Sequence, residues 1–259
     1  MFACKLRQYL TNFLPSVQRF RTITLRYSSL SSTNELAREL FEASEIQHGT
    51  AIRADFQEHG RGQMGSRWNG NPGENIYMSL VLELQLPVDQ QFLLNMAVAL
   101  AVRDTLEEYL PGTKIKWPND LYFQRQKIAG ILIENSIQGS LMVCSIIGIG
   151  INVLQMDFGP LTKAGSVKQH SSQTPSLDEV YAFLIAHLEE RIASLDRPEK
   201  LREEYHHHLL FFNMVTTFEQ NGRLFKARVG EIDEWGRLCL DLGEKTELFS
   251  IKDIRWVDL

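Results

Sequence analysis

Apolar and polar positions along the chain fall into strand-like and helix-like stretches, and their order outlines the fold. Thr22–Tyr27 alternates, the period of a half-buried strand. Ser32 and Glu35 have the serine-to-glutamate spacing of a capping box, so a helix is expected to open there, burying Ala37, Leu40 and Phe41. A strand is expected near 50–56, a polar glycine-rich loop from Gln57 to about Gly73, and another strand over 75–84. Asp89 is placed to cap a long helix reaching about Tyr109, whose apolar run 92–102 reads as core. Strands near 114–117, 121–123, 128–134 and 141–153 follow, then helices near 176–195 and 198–211. Ser176 and Glu179 repeat the capping-box spacing.

From Asn213 the texture changes. Short strands near 214–219, 224–232, 238–242, 247–250 and 254–257 alternate with turns at Asn221-Gly222 and Trp235-Gly236, the pattern of a small antiparallel barrel. The expected class is therefore α+β. An extension over 1–20 precedes a catalytic domain over 21–211, and a barrel over 212–259 closes the chain.

Composition narrows the setting. No apolar run approaches the roughly 20 residues of a membrane span, so no membrane association is expected. Cys4, Cys144 and Cys239 are far apart and form no CxxC pair, which argues against a disulfide framework or a structural zinc site and suits a cytoplasmic location. A net charge of −5 gives no basic footprint for nucleic acid. The charge is uneven, however: before Glu35 there is no acidic residue, while Lys5, Arg7, Arg19, Arg21 and Arg26 all fall there. A short extension ahead of the first strand is the simpler reading, with a targeting segment as the alternative. His206-His-His208 lies in a helical stretch, where successive side chains point about 100° apart and share one ion poorly, so no metal site is expected.

Four segments carry candidate chemistry. Gly60-Arg-Gly-Gln-Met-Gly65 matches G-x-G-x-x-G, but the following Ser66-Arg-Trp-Asn-Gly-Asn-Pro-Gly73 suits no helix, which argues against a dinucleotide fingerprint. What remains is a loop of backbone N–H donors with Arg61 and Arg67, able to close over an anion or to serve as a plain surface loop. In Lys114-Ile-Lys-Trp-Pro-Asn-Asp120 the two lysines share a strand face, and Asn119 and Asp120 sit at its mouth. Lys127 precedes the apolar run 128–133, in which Gly130 allows close backbone approach. Gly148-Ile-Gly-Ile-Asn152 is a glycine-punctuated strand ending in an amide. Singly, each has an ordinary structural reading at least as good as a functional one.

Together and in this order, Ser32-Thr-Asn34, Gln57 with Gly60-Arg-Gly62, Gly73–Ser79, Lys116–Tyr122, Lys127–Glu134 and Gly148–Asn152 closely resemble the biotin–protein ligase family, in its monofunctional form. The resemblance is strong from about Tyr27 to Val153 and weaker through the C-terminal barrel. It implies a mixed-sheet domain like that of class II synthetase-like biotin/lipoate ligases, followed by an SH3-like barrel. The implied activity is ATP-dependent formation of biotinyl-5'-AMP, with Mg2+ on the phosphates, and transfer of biotin to a lysine of a biotin carboxyl carrier domain.

By resemblance, Arg61 and Lys127 are the catalytic residues. Ser32, Thr33, Asn34, Gln57, Arg61, Gly62, Gln63, Lys127 and Gly130 match biotin-contacting positions. Arg61, Trp68, Asn119, Asp120, Lys127 and Asn152 would border ATP or the adenylate, with Trp68 packing on adenine. Gln63 departs from members that carry arginine there, and Arg67 could compensate; a functional ligase is still expected. About 26 residues precede Ser28, too few for the DNA-binding domain of bifunctional members, so repressor activity is not expected. The rivals are a lipoate or octanoyl ligase or transferase, and a non-catalytic biotin sensor.

Overall fold

The computed structural model describes residues 20–258. The expectations for the N-terminal extension, with Cys4 in it, lie outside these residues. Seven strands form one sheet in the order β1-β2-β3-β7-β6-β5-β4. They are β1 (Ile23–Tyr27), β2 (Thr50–Ala54), β3 (Asn75–Pro87), β4 (Lys114–Lys116), β5 (Asp120–Phe123), β6 (Gln126–Gln138) and β7 (Leu141–Asn152). Only β1 and β2 run parallel; the other neighbours are antiparallel, and β3 pairs with β7, which lies three strands further along the chain than its next strand β4.

Strand alternation sends side chains to opposite faces. One face of β3 carries Ile76, Met78, Leu80 and Leu82 into the main core, where α2 (Gln91–Glu107) lies with α4 (Leu177–Ala193) and α5 (Pro198–His208) behind it. Helix α2 is apolar nearly all round, and its run 92–102 is buried apart from Asn95, whose amide donates to the Pro118 carbonyl at 2.8 Å. On the opposite face α1 (Thr33–Glu42) covers a smaller cluster of Ala37, Ile52, Val81, Cys144 and Ile146.

The expected capping boxes fail. Neither the Ser32 nor the Ser176 hydroxyl caps its helix. At α1 the side chain that meets a first-turn donor is Gln57, whose Oε1 accepts the N–H of the buried Thr33 at 2.7 Å. Glu35, meant for the box, accepts from the Ser31 hydroxyl and Arg61. Asp89 is not the cap of α2 either, because a 3-10 turn over Val88–Gln90 shifts the helix start past it. A real box occurs at Ser166 and Gln169, on the four-residue helix α3 (Val167–His170), where the serine-to-glutamine spacing is the sequence signal that was passed over.

The C-terminal strands are β8 (Val215–Gln220), β9 (Arg223–Ile232), β10 (Leu238–Asp241), β11 (Thr246–Phe249) and β12 (Arg255–Trp256). They form an antiparallel sheet in the order β11-β10-β9-β8-β12, the SH3-like element expected. Asn221 (φ 51°) and Gly222 (φ 79°) make the two-residue turn between β8 and β9, as the Asn-Gly pair predicts.

His206 of α5 is buried, and its Nε2 accepts the Ile232 N–H at 2.9 Å, joining helix to barrel. Burial pushes His206 below the ordinary histidine range, and burial with nearby Arg103, His207 and Lys114 brings His208 to about 4. A folded-state pKa below the unfolded one means the unfolded chain binds more protons as pH falls below about 6.5. Stability from these residues is therefore complete above that pH and lost towards pH 4. The melting temperature should fall between pH 7 and pH 5, and His208→Gln should make that fall shallower; an unchanged slope would count against this assignment.

Candidate functional site

The α1 face of β7 explains where the cleft lies. Cys144 and Ile146 pack beneath α1, but the next two positions on that face are Gly148 and Gly150, which leave it bare. Gly130 lies opposite Gly150 on β6 and extends the bare floor sideways. The result is an open trough of about 550 Å³. Every residue to which the resemblance gives a role lines it: Ser32, Thr33, Asn34 and Gln57; Arg61, Gly62, Gln63 and Trp68; Asn119, Asp120, Lys127, Gly130 and Asn152, whereas Lys114 and Lys116 do not.

One end is uncharged and dense in hydrogen bonds. Helix α1 starts there, so Ser32, Thr33 and Asn34 are all buried at its first turn. Thr33 Oγ1 lies 3.0 Å from Gln57 Oε1 and 2.7 Å from Ser79 Oγ, and Ser79 Oγ lies 2.5 Å from Asn34 Oδ1. The Asn34 amide donates to Glu134 Oε2 at 2.7 Å. A Cβ on Gly148 would collide with Asn34 Oδ1, so glycine is what lets this network reach the floor. Such a lattice of hydroxyls and amides suits a neutral polar head group. Ser79 and Glu134 are functional candidates that the sequence reading quoted within motifs but assigned no role.

The other end is cationic. Lys127 Nζ lies 2.5 Å from Asp120 Oδ1, and Lys116 Nζ 3.5 Å from Asp120 Oδ2. Desolvation lowers the Lys116 pKa, opposed by Asp120 and reinforced by the charges of Lys127 and Lys163. Two ammonium groups against one carboxylate leave this end net positive, a seat for an anion. Asn119 and Asn152 line the cleft but direct their amide nitrogens to backbone. Asn119 donates to Ile131 O at 2.5 Å, fixing the turn that carries Asp120, and Asn152 donates to Gly165 O at 2.9 Å. Segment 158–164, absent from the sequence reading, forms the remaining wall. It is tied to Lys127 by Lys127 N–H to Lys163 O at 2.7 Å and Gly165 N–H to Lys127 O at 3.0 Å.

The glycine-rich loop opens no α-helix, in keeping with the argument against a dinucleotide fingerprint. It is a small hairpin closed by Trp68 N–H to Gly60 O at 2.9 Å, with Arg61 bridged to Arg67 and a turn at Met64 (φ 59°) and Gly65 (φ 76°). Arg61 is half exposed and rests on Glu35 at 3.1 Å. Trp68 hangs from the hairpin onto the glycine floor: a Cβ at Gly130 would lie 2.7 Å from its ring, and one at Gly150 would clash with the indole. Lys127 Nζ stands 5.2 Å from the ring centroid, and the buried Trp68 Nε1–H has no hydrogen-bond partner among the described residues.

Gly150→Ala should thus dislodge the hairpin without unfolding the sheet. Releasing an indole held by packing worth about 1.5–3 kcal/mol raises the open population on the order of tenfold or more. Tryptic cleavage after Arg61 and Arg67 should accelerate accordingly while the melting temperature holds. Equal cleavage rates in mutant and wild type would refute the contact's role.

This is an α+β chain whose cleft joins a neutral, hydrogen-bonding end to a cationic end under a hairpin lid. Residues 27–152 match the model of the biotin/lipoate A/B protein ligase family. The chain is 35% identical over 234 residues to the bifunctional ligase/repressor BirA of Bacillus spizizenii, covering 87% of this chain and 71% of that protein. The corresponding Bacillus subtilis protein is 39% identical over 127 residues, which are 49% of this chain and only 39% of that one. The biotin–[acetyl-CoA-carboxylase] ligase of Mycobacterium tuberculosis is 29% identical, over 80% of this chain and 78% of its own length. In fold, the chain is similar to a biotin protein ligase from Aquifex aeolicus in complex with biotin and ATP. That match has a TM-score of 0.74 and 22% identity, and covers 92% of this chain and 100% of that one. The chain belongs to the biotin/lipoate A/B protein ligase family.

Proposed function

We propose that this protein is a biotin–protein ligase. It condenses biotin with ATP to biotinyl-5'-AMP and transfers biotin to a lysine of a biotin carboxyl carrier domain. The observation that carries the reading is the order of chemistry along one trough: neutral hydroxyl and amide groups, then the glycine floor beneath Trp68, then the lysines around Asp120. Biotin has the matching order, a ureido head, an apolar body and a terminal carboxylate. A biotin oxygen attacks the α-phosphorus of ATP and pyrophosphate leaves. The acceptor amine then attacks the biotinyl carbonyl, and AMP leaves.

In this reading the uncharged end takes the ureido group and Lys127 meets the carboxylate and α-phosphate oxygens, where negative charge concentrates in the transition state. Arg61 and the hairpin close over the adenylate and keep water from it, with Trp68 against the adenine. ATP brings Mg2+ on its phosphates. Asp120, already bonded by Lys127 and Lys116, supports the lysines. The partner is the acceptor domain, and a cytoplasmic setting is proposed with it. Among the described residues no helix is long and apolar enough to cross a membrane.

The test mixes the purified chain with ATP, biotin and a carrier domain, and follows pyrophosphate release and biotin on the acceptor lysine, with lipoate in parallel. Biotin-dependent release and labelling would support the ligase. Release with lipoate alone would select the lipoate branch of the family, and biotin binding without release would leave a sensor.

A further inference from the structure

The uncharged end of the cleft is short of protons. Three oxygen–oxygen contacts, Asn34–Ser79, Ser79–Thr33 and Thr33–Gln57, share only the two hydroxyl protons of Ser79 and Thr33. Such a set favours a ligand that brings N–H groups. It holds only while the Asn34 amide keeps its oxygen towards Ser79, because the reversed amide would supply two more protons and remove an acceptor.

Glu134 decides that orientation. Its Oε2 accepts from Asn34 Nδ2 at 2.7 Å, and its Oε1 is held by Arg38 at 2.7 Å. A carboxylate has no proton to give, so the amide oxygen cannot face it. The Asn34 amide also packs close on the floor, since a Cβ on Gly148 would come within 2.2 Å of its Oδ1.

We propose that Glu134 is a specificity-determining positioning residue. Through Asn34 it sets the neutral end of the cleft to accept N–H groups, and so selects the ureido over a head group without them. This inference rests on the ligase reading above. Glu134 need not touch the ligand. Its carboxylate is charged and anchored from outside by Arg38 of α1, so the polarity is fixed before any ligand arrives. Gln in its place could face Asn34 with either its oxygen or its NH2 group, and the amide would no longer be held one way.

The experiment measures the affinity of the full chain for biotin and for a biotin methylated on one ureido nitrogen, by calorimetry, in wild type, Glu134→Gln and Arg38→Ala. Glu134→Gln should weaken biotin on the order of tenfold, the effect of losing one well-formed polar contact. The discrimination between the two ligands should shrink by the same factor, with KM for ATP unchanged. Arg38→Ala, which breaks the ion pair but leaves the Asn34 contact, should keep the discrimination. Equal biotin affinity and discrimination in Glu134→Gln and wild type would overturn the inference alone, as would an equal loss in both variants, which would mark the ion pair as merely structural. A wild-type chain that binds no biotin would overturn the ligase reading and this inference with it. Rescue of the discrimination by Glu134→Asp would support it.

Discussion

Lys127→Ala is expected to lower the rate of adenylate formation by about 10²–10³, the range for losing one charge-stabilising donor at a reacting centre. The residue is well placed for such a clean loss. Its backbone is paired on both sides with Lys163 and Gly165, and its side chain is a third exposed, so truncation removes the ammonium without opening the core. What it leaves is Asp120 facing the anion site with Lys116 as its remaining ion-pair partner, 3.5 Å away and itself partly desolvated. An attacking carboxylate and a triphosphate would then approach a site that has lost the ammonium nearest Asp120, with Lys163 on the neighbouring wall. Single-turnover pyrophosphate release measures the loss. The affinity for biotin should change far less, because the ureido end is untouched, and the melting temperature should hold. Lys127→Arg should fail to restore the rate, since the guanidinium fork would engage Asp120 in a different geometry from a point charge. Adenylate formation within tenfold of wild type in Lys127→Ala would remove Lys127 from the mechanism.

The parts of this site that were legible in the sequence are those built from local chain. Gly148, Gly150 and Gly130 announce a bare floor because a strand with glycine on alternate positions has nothing to pack there. The hairpin of residues 60–68 was legible as a loop, since its glycines and Pro72 exclude the helix that its motif would otherwise suggest. The helix caps were misread for the opposite reason. At the start of α1 the side chain that meets a first-turn N–H is Gln57, 24 residues beyond the Thr33 it bonds, and no local pattern carries that distance. Likewise Ser79 and Glu134 meet Asn34 from 45 and 100 residues away, so the network that gives the cleft its polarity arises only when α1, β3 and β6 come together. Segment 158–164 has no periodic pattern at all. It becomes a wall because its end pairs with the Lys127 backbone.

Trp117→Ala is expected to destabilise the protein by about 3–5 kcal/mol, the cost of emptying a fully buried large side chain, and to impair the cleft as well. Trp117 is 1% exposed and sits between the sheet and the barrel, where its Nε1–H donates to the Gly236 carbonyl at 2.9 Å. Gly236 has φ +82°, and a Cβ on it would strike Phe92 of α2, so the Trp235-Gly236 turn is pressed into the same junction. Alongside, the Leu210 N–H donates to the Ile115 carbonyl at 2.7 Å, tying the chain that leads into the barrel to β4. The barrel is thus fastened to the strand-and-turn that ends in Asn119 and Asp120, and loss of the indole frees both at once. For a chain of this size that cost corresponds to a melting-temperature fall of roughly 6–20 °C. Trp117→Phe separates the two contributions: it keeps most of the ring volume but leaves the Gly236 carbonyl without its donor, at about 1–3 kcal/mol. If Trp117→Ala lowers adenylate formation at temperatures where it is still folded, the junction positions Asp120 and through it Lys127. A stable Trp117→Ala protein with wild-type rates would show instead that the barrel is held elsewhere and that the turn keeps its place without it.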